Sequence, residues 1–135
     1  MTSPSSFNQW FATLTGHELP RQWQWELADA STCRNRLIRV PTGLGKTEGV
    51  LAAWSFYRVG QANDRWPRRL VWCLPMRVLV EQTEQVAKSL AAKMPANQRP
   101  GVRGGDRRGT TETRERHGGG VRHSSSGFSI LNTTY

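Results

Sequence analysis

Val40-Pro41-Thr42-Gly43-Leu44-Gly45-Lys46-Thr47 is the stretch on which the reading of this chain turns. An apolar run, Leu37-Ile38-Arg39-Val40, leads into it, and a helical pattern opens at Glu48. The order is strand, tight glycine turn, helix. Such a turn aims backbone N–H groups and a helix N-terminus at one point, where a triphosphate can sit. Gly43 and Gly45 allow backbone angles that a Cβ forbids and let phosphates approach closely. Thr42, Gly43, Leu44 and Gly45 then form the cradle. Lys46 reaches the β- and γ-phosphates, and the Thr47 hydroxyl ligates Mg²⁺. ATP and Mg²⁺ are the expected cofactors. The full pattern G-x-x-x-x-G-K-S/T has glycine where Val40 stands, a departure at the loop's entry.

The flanks read as alternating strands and helices. Phe7, Trp10, Phe11 and Leu14 fall at i, i+3, i+4, i+7, the face of a short amphipathic helix with Ser5 or Ser6 as N-cap and Gly16 as stop. Pro20 suits the first turn of a second helix running to about Ala30. Arg36 to Val40 reads as the first, central strand, apolar as a buried parallel strand is. Thr47 to Val59 reads as a helix stopped by Gly60. Leu70 to Leu74 is the next strand, ended by Pro75. Met76 to about Lys93 follows as a helix with Leu79, Thr83, Val86 and Leu90 inward. Strand, helix, strand, helix means parallel βαβ units. The expected fold is α/β, the start of a RecA-like nucleotide-binding domain.

Two of these stretches resemble superfamily-two helicases. Pro-Thr-Gly-Leu-Gly-Lys-Thr is that group's form of the phosphate loop. An apolar strand ending in Pro-x-Arg-x-Leu-x-x-Gln is its second motif, matched here by Pro75, Arg77, Leu79 and Gln82. The resemblance implies that Pro75, Arg77 and Gln82 lie against the backbone of a tracked single strand of DNA. Arg77 and the N-terminus of its helix both favour a phosphate. It also implies that Gln24, in Arg21-Gln22-Trp23-Gln24, reads adenine through its amide, which donates and accepts at once. Gln22 is the competing candidate, and a glutamine that only faces solvent is the plain alternative. With the opening Leu14-Thr15-Gly16-His17-Glu18-Leu19-Pro20 run, residues 7–100 are similar to the N-terminal part of the CRISPR-associated helicase-nuclease of type I interference systems. That likeness implies antiviral defence in the cytoplasm, on single-stranded DNA exposed by an RNA-guided surveillance complex. A restriction-system translocase, another superfamily-two helicase, or a non-catalytic nucleotide- or nucleic-acid-binding remnant remains open.

The chain has 135 residues and a formal net charge of +9, a balance that suits a polyanionic partner. Cys33 and Cys73 stand singly, with no C-x-x-C and no Cys/His cluster. No apolar stretch is long enough for a signal peptide or a membrane span, and no membrane partner is expected. Residues 1–35 read as N-terminal helices, 36–100 as a partial RecA-like domain, and 101–135 as a disordered Gly/Arg-rich tail. The tail holds eight of the 13 glycines and none of the six tryptophans, and shows no helical or strand period. It reads as an out-of-frame end, with a functional basic tail as the rival. No Asp-Glu dipeptide occurs anywhere, so the acidic pair that holds Mg²⁺ and orients water in such helicases is missing. Of the three histidines, His117 and His123 fall in the tail, leaving His17. No residue is therefore assigned a catalytic role, and the chain alone is expected neither to turn over ATP at a helicase rate nor to unwind a duplex.

Overall fold

A computed structural model describes residues 6–29, 31–105 and 127–132. Helix α1, Phe7–Thr15, forms where the apolar spacing places it. Ser6 Oγ accepts from the Gln9 N–H at 3.3 Å, and Gly16 ends the helix at φ 75° in the left-handed region. Its face of Phe7, Trp10, Phe11 and Leu14 is buried. Helix α2 is Gln22–Ala28, with Arg21 as N-cap. Helix α3 is Lys46–Ser55 and widens at its end into a π-turn, Phe56–Gly60, before the chain leaves. Strand β1 is Arg69–Leu74 and helix α4 is Arg77–Ala92. Strands β2, Gly101–Gly105, and β3, Gly127–Asn132, complete the described elements.

The three strands form one parallel sheet in the order β1-β3-β2. Arg69 and Gly101 both stand opposite Gly127, and the ladders run on from there to Leu74↔Asn132 and Gly105↔Leu131. Helix α4 packs on the sheet, α3 packs on α4, and α1 and α2 pack on α3. The core lies between these helices and the sheet. Trp54, Phe11, Leu14, Leu51, Ile130 and Ser55 are the largest of its fully buried side chains. Two polar ties cross it. Trp10 Nε1 donates to Ser55 Oγ at 3.0 Å, and Trp54 Nε1 donates to the Pro67 carbonyl at 2.8 Å. Buried donors need such partners, since an orphan costs about 1–3 kcal/mol. The Tyr57 hydroxyl ties α3's end to α2 through the Ala28 carbonyl, and its ring stacks on Trp66 at 4.7 Å.

Three expectations are corrected. The mixed α/β fold with a parallel sheet is present, but Arg36–Val40 is not one of its strands. The segment runs without ladder bonds, and Leu37 is 80% exposed. A strand exists only by pairing, and among the described residues no strand lies beside this one. The segment from Gly101 onward, read as structureless, supplies two of the three strands, and Ile130 of β3 is fully buried in the core. Glycines and short polar residues give no strand signal of their own, and the pairing partners supply it. Residues 106–126 and 133–135 lie outside the described residues, with His117 and His123 among them; so does Ser5. Finally, α4 turns a slightly different face inward than expected. Val80, Thr83, Ala87, Leu90 and Ala91 are buried, whereas Leu79 is 36% exposed. Val78-Leu79-Val80 is a run of three apolar residues, so periodicity alone leaves the face ambiguous by one position.

Candidate functional site: the 41–47 loop and its support

Gly43 and Gly45 both adopt left-handed angles, φ +86° and +73°. A non-glycine residue at either would be strained. A Cβ placed on Gly43 would meet nothing within 4 Å, so that side of the loop is open. Gly45 is the N-cap of α3 and offers no side chain to cap it. The N–H groups of Lys46, Thr47 and Glu48 therefore have no carbonyl acceptor within their own helix. Donors left in this way, at the positive end of a helix dipole, suit an anion. Lys46 adds a full charge. Its side chain is exposed, and no ion pair engages it among the described residues. Thr47 is half-buried in the same first turn, Leu44 is half-buried, and Thr42 and Gly43 are exposed.

These residues fit a triphosphate with Mg²⁺: an open glycine turn, uncapped donors, one free ammonium and one hydroxyl. When bound, the cation neutralises phosphate charge, with Thr47 as the protein ligand that would hold it. Among the described residues no three His, Cys, Asp or Glu side chains gather into a metal site. Glu48, the one acid of the first turn, faces His17, with Oε2 3.8 Å from His17 Nε2. The His17 ring also stacks on Phe11, with ring centroids 6.5 Å apart.

Gln24 is where the structure adds most. It is 2% exposed. Its Oε1 accepts from the Arg21 backbone N–H at 2.8 Å, and its Nε2 donates to the Gly45 carbonyl at 3.0 Å. The amide expected to face adenine is thus turned inward and bonded at both ends to the protein's own backbone. Gln22, the competing candidate, is on the surface and donates to Glu26 Oε1 at 3.0 Å, one turn along α2. Trp23 Nε1 is enclosed with no hydrogen-bond partner among the described residues.

Gly49 is the residue that sequence reasoning missed. A Cβ there would lie 2.8 Å from Gln24 Cγ and 2.9 Å from the Trp23 ring, and one on Gly45 would lie 2.8 Å from Gln24 Nε2. The two glycines, one turn apart, cut a slot in α3 that α2 fills. The available signal was a glycine inside a helical pattern at i+4 from the loop glycine, where alanine would favour the helix more.

Pro75, Arg77 and Gln82 are all exposed, at the end of β1 and on the first turns of α4. The Arg77 side chain is 81% exposed, and its Nε lies 3.1 Å from Glu81 Oε1, an i,i+4 surface pair. Pairs of this kind contribute about 0.3–0.5 kcal/mol and open readily. Met76, N-cap of α4, supplies no side-chain cap to this helix start. Cys33 and Cys73 are exposed free thiols. Among the described residues no helix is long and apolar enough to cross a membrane.

Comparison with protein-family models, curated proteins and solved structures gives no match.

Proposed function

We propose that the chain binds ATP with Mg²⁺ at the 41–47 loop, as the N-terminal part of a RecA-like superfamily-two helicase or translocase. Of that group it is most like the helicase-nuclease of type I CRISPR interference, working in the cytoplasm on single-stranded DNA presented by an RNA-guided surveillance complex. The single observation that carries the nucleotide reading is the loop itself. Two left-handed glycines lead into a helix whose N-cap has no side chain, with Lys46 and Thr47 as its first two residues. The sequence of the loop and the Pro75-to-Gln82 stretch support the helicase class. The DNA contact belongs to Pro75, Arg77 and Gln82, with Arg77 leaving Glu81 for a phosphate.

The test is binding of a fluorescent ATP analogue in the presence of Mg²⁺. Lys46→Ala removes a charge-assisted phosphate contact and is expected to weaken binding about tenfold or more. Equal binding by wild type and variant would place the nucleotide elsewhere or nowhere.

A further inference from the structure

We propose that Gln24 is a positioning residue of the phosphate loop, a brace that sets the Gly45–Lys46 peptide and does not select the base. The proposal rests on the nucleotide reading above and specifies how that site is held.

The Gly45 carbonyl and the Lys46 N–H belong to the same plane and point in opposite directions. Whatever fixes the carbonyl therefore aims the N–H. Here the carbonyl accepts twice, from the Gly49 N–H at 2.9 Å and from Gln24 Nε2 at 3.0 Å. Both lone pairs are used. The first bond is the ordinary helical one and leaves the end of the helix free to fray. The second comes from another element and prevents that. The Lys46 N–H, and the point from which the Lys46 side chain departs, are set with it.

The brace is itself anchored. Gln24 Oε1 is held by the Arg21 N–H at 2.8 Å, so the amide cannot rotate without breaking a bond at each end. The space for it is built into the sequence, since neither Gly45 nor Gly49 leaves room for a Cβ against Gln24. At 2% exposure the amide has no open face for a base. A side chain whose acceptor and donor are both spent on backbone, in a slot cut by two glycines, acts on the loop and not on what lies beyond it.

The experiment compares affinities for ATP, GTP and inorganic tripolyphosphate, each with Mg²⁺, by calorimetry on the full chain. Gln24→Ala is expected to weaken all three by the same factor, on the order of tenfold. Gln24→Glu keeps the length and the bond to Arg21 but sets a carboxylate oxygen against the Gly45 carbonyl. It is expected to lose at least as much, again equally. Arg21 has φ −66°, which proline adopts without strain, so Arg21→Pro removes the anchoring N–H, together with the exposed Arg21 side chain. A smaller but uniform loss is expected there, and this variant carries the test if Gln24→Ala fails to fold by circular dichroism. Loss of ATP affinity alone, with GTP and tripolyphosphate unchanged, would make Gln24 a base reader and overturn the proposal. Unchanged affinity for all three would overturn it too. A wild-type chain that binds none of the three would overturn the nucleotide reading and this proposal together.

Discussion

Gly49 and Gly104 each face a side chain from a neighbouring element, yet an alanine would not cost the same at the two. At Gly49 the new Cβ would press on Gln24 Cγ and the Trp23 ring, both held in the α2–α3 contact. The methyl would raise helix propensity by about 0.8–1 kcal/mol. Overpacking against groups that cannot retreat costs about 1–3 kcal/mol, and it wins. At Gly104 the new Cβ would lie 2.2 Å from Glu84 Oε2, a closer approach on paper. That atom ends a flexible side chain, which can swing off at the expense of its 2.7 Å pair with Lys88. A surface pair of this kind is worth about 0.2–1 kcal/mol. In urea denaturation Gly49→Ala is therefore expected to lower stability more than Gly104→Ala. The reverse order would mean that α2 is not seated in the slot. Distance to the nearest atom is a poor guide to cost, and the freedom of that atom to move decides.

At the scale of elements, Leu37 and Ile130 exchange the roles that their sequences suggest. Leu37 stands in the apolar run expected to be the central strand, yet it is 80% exposed, whereas Ile130, in the glycine-rich end, is 0% exposed. Leu37→Ser is expected to change stability by less than about 0.5 kcal/mol, as surface substitutions do. Ile130→Ala, which empties a core position, is expected to cost about 2–5 kcal/mol. A large loss from Leu37→Ser would show that 36–40 is a paired strand in solution. The same contrast explains how much of the molecule was legible. Helix α1 carried its own period, cap and stop in Ser6, the Phe7-to-Leu14 face and Gly16. The run from Leu70 to Lys93 carried its own strand and helix, with Pro75 between them. The 41–47 turn was legible because Gly43, Gly45 and Lys46 are needed at fixed offsets. Strands are different, because their bonds go to residues far away in sequence. Nothing in Gly101-Val102-Arg103-Gly104-Gly105 announces a partner, and nothing in Leu37-Ile38-Arg39-Val40 announces the lack of one. Gln24 was picked out, but its direction was not, since an amide that can reach a base can equally reach a carbonyl.

For the molecule as a whole, a net charge of +9 is the property most directly open to measurement. Binding to single-stranded DNA is expected to fall steeply with salt, as counterion release requires. If Arg77 engages one phosphate, Arg77→Ala is expected to reduce the slope of log K against log salt by about 0.7. An unchanged slope would take Arg77 out of the interface and leave the binding to charge elsewhere on the chain. The order of the sheet bears on something else, the moment at which the molecule comes into being. Among the described residues β1 and β2 do not pair with each other; each pairs with β3, which follows both in the chain. During synthesis neither ladder can therefore form until Gly127–Asn132 has left the ribosome. Contacts between segments so far apart close slowly, and half-built sheets with open edges are prone to aggregate. The arrival of one short strand thus sets the earliest moment at which this sheet can close.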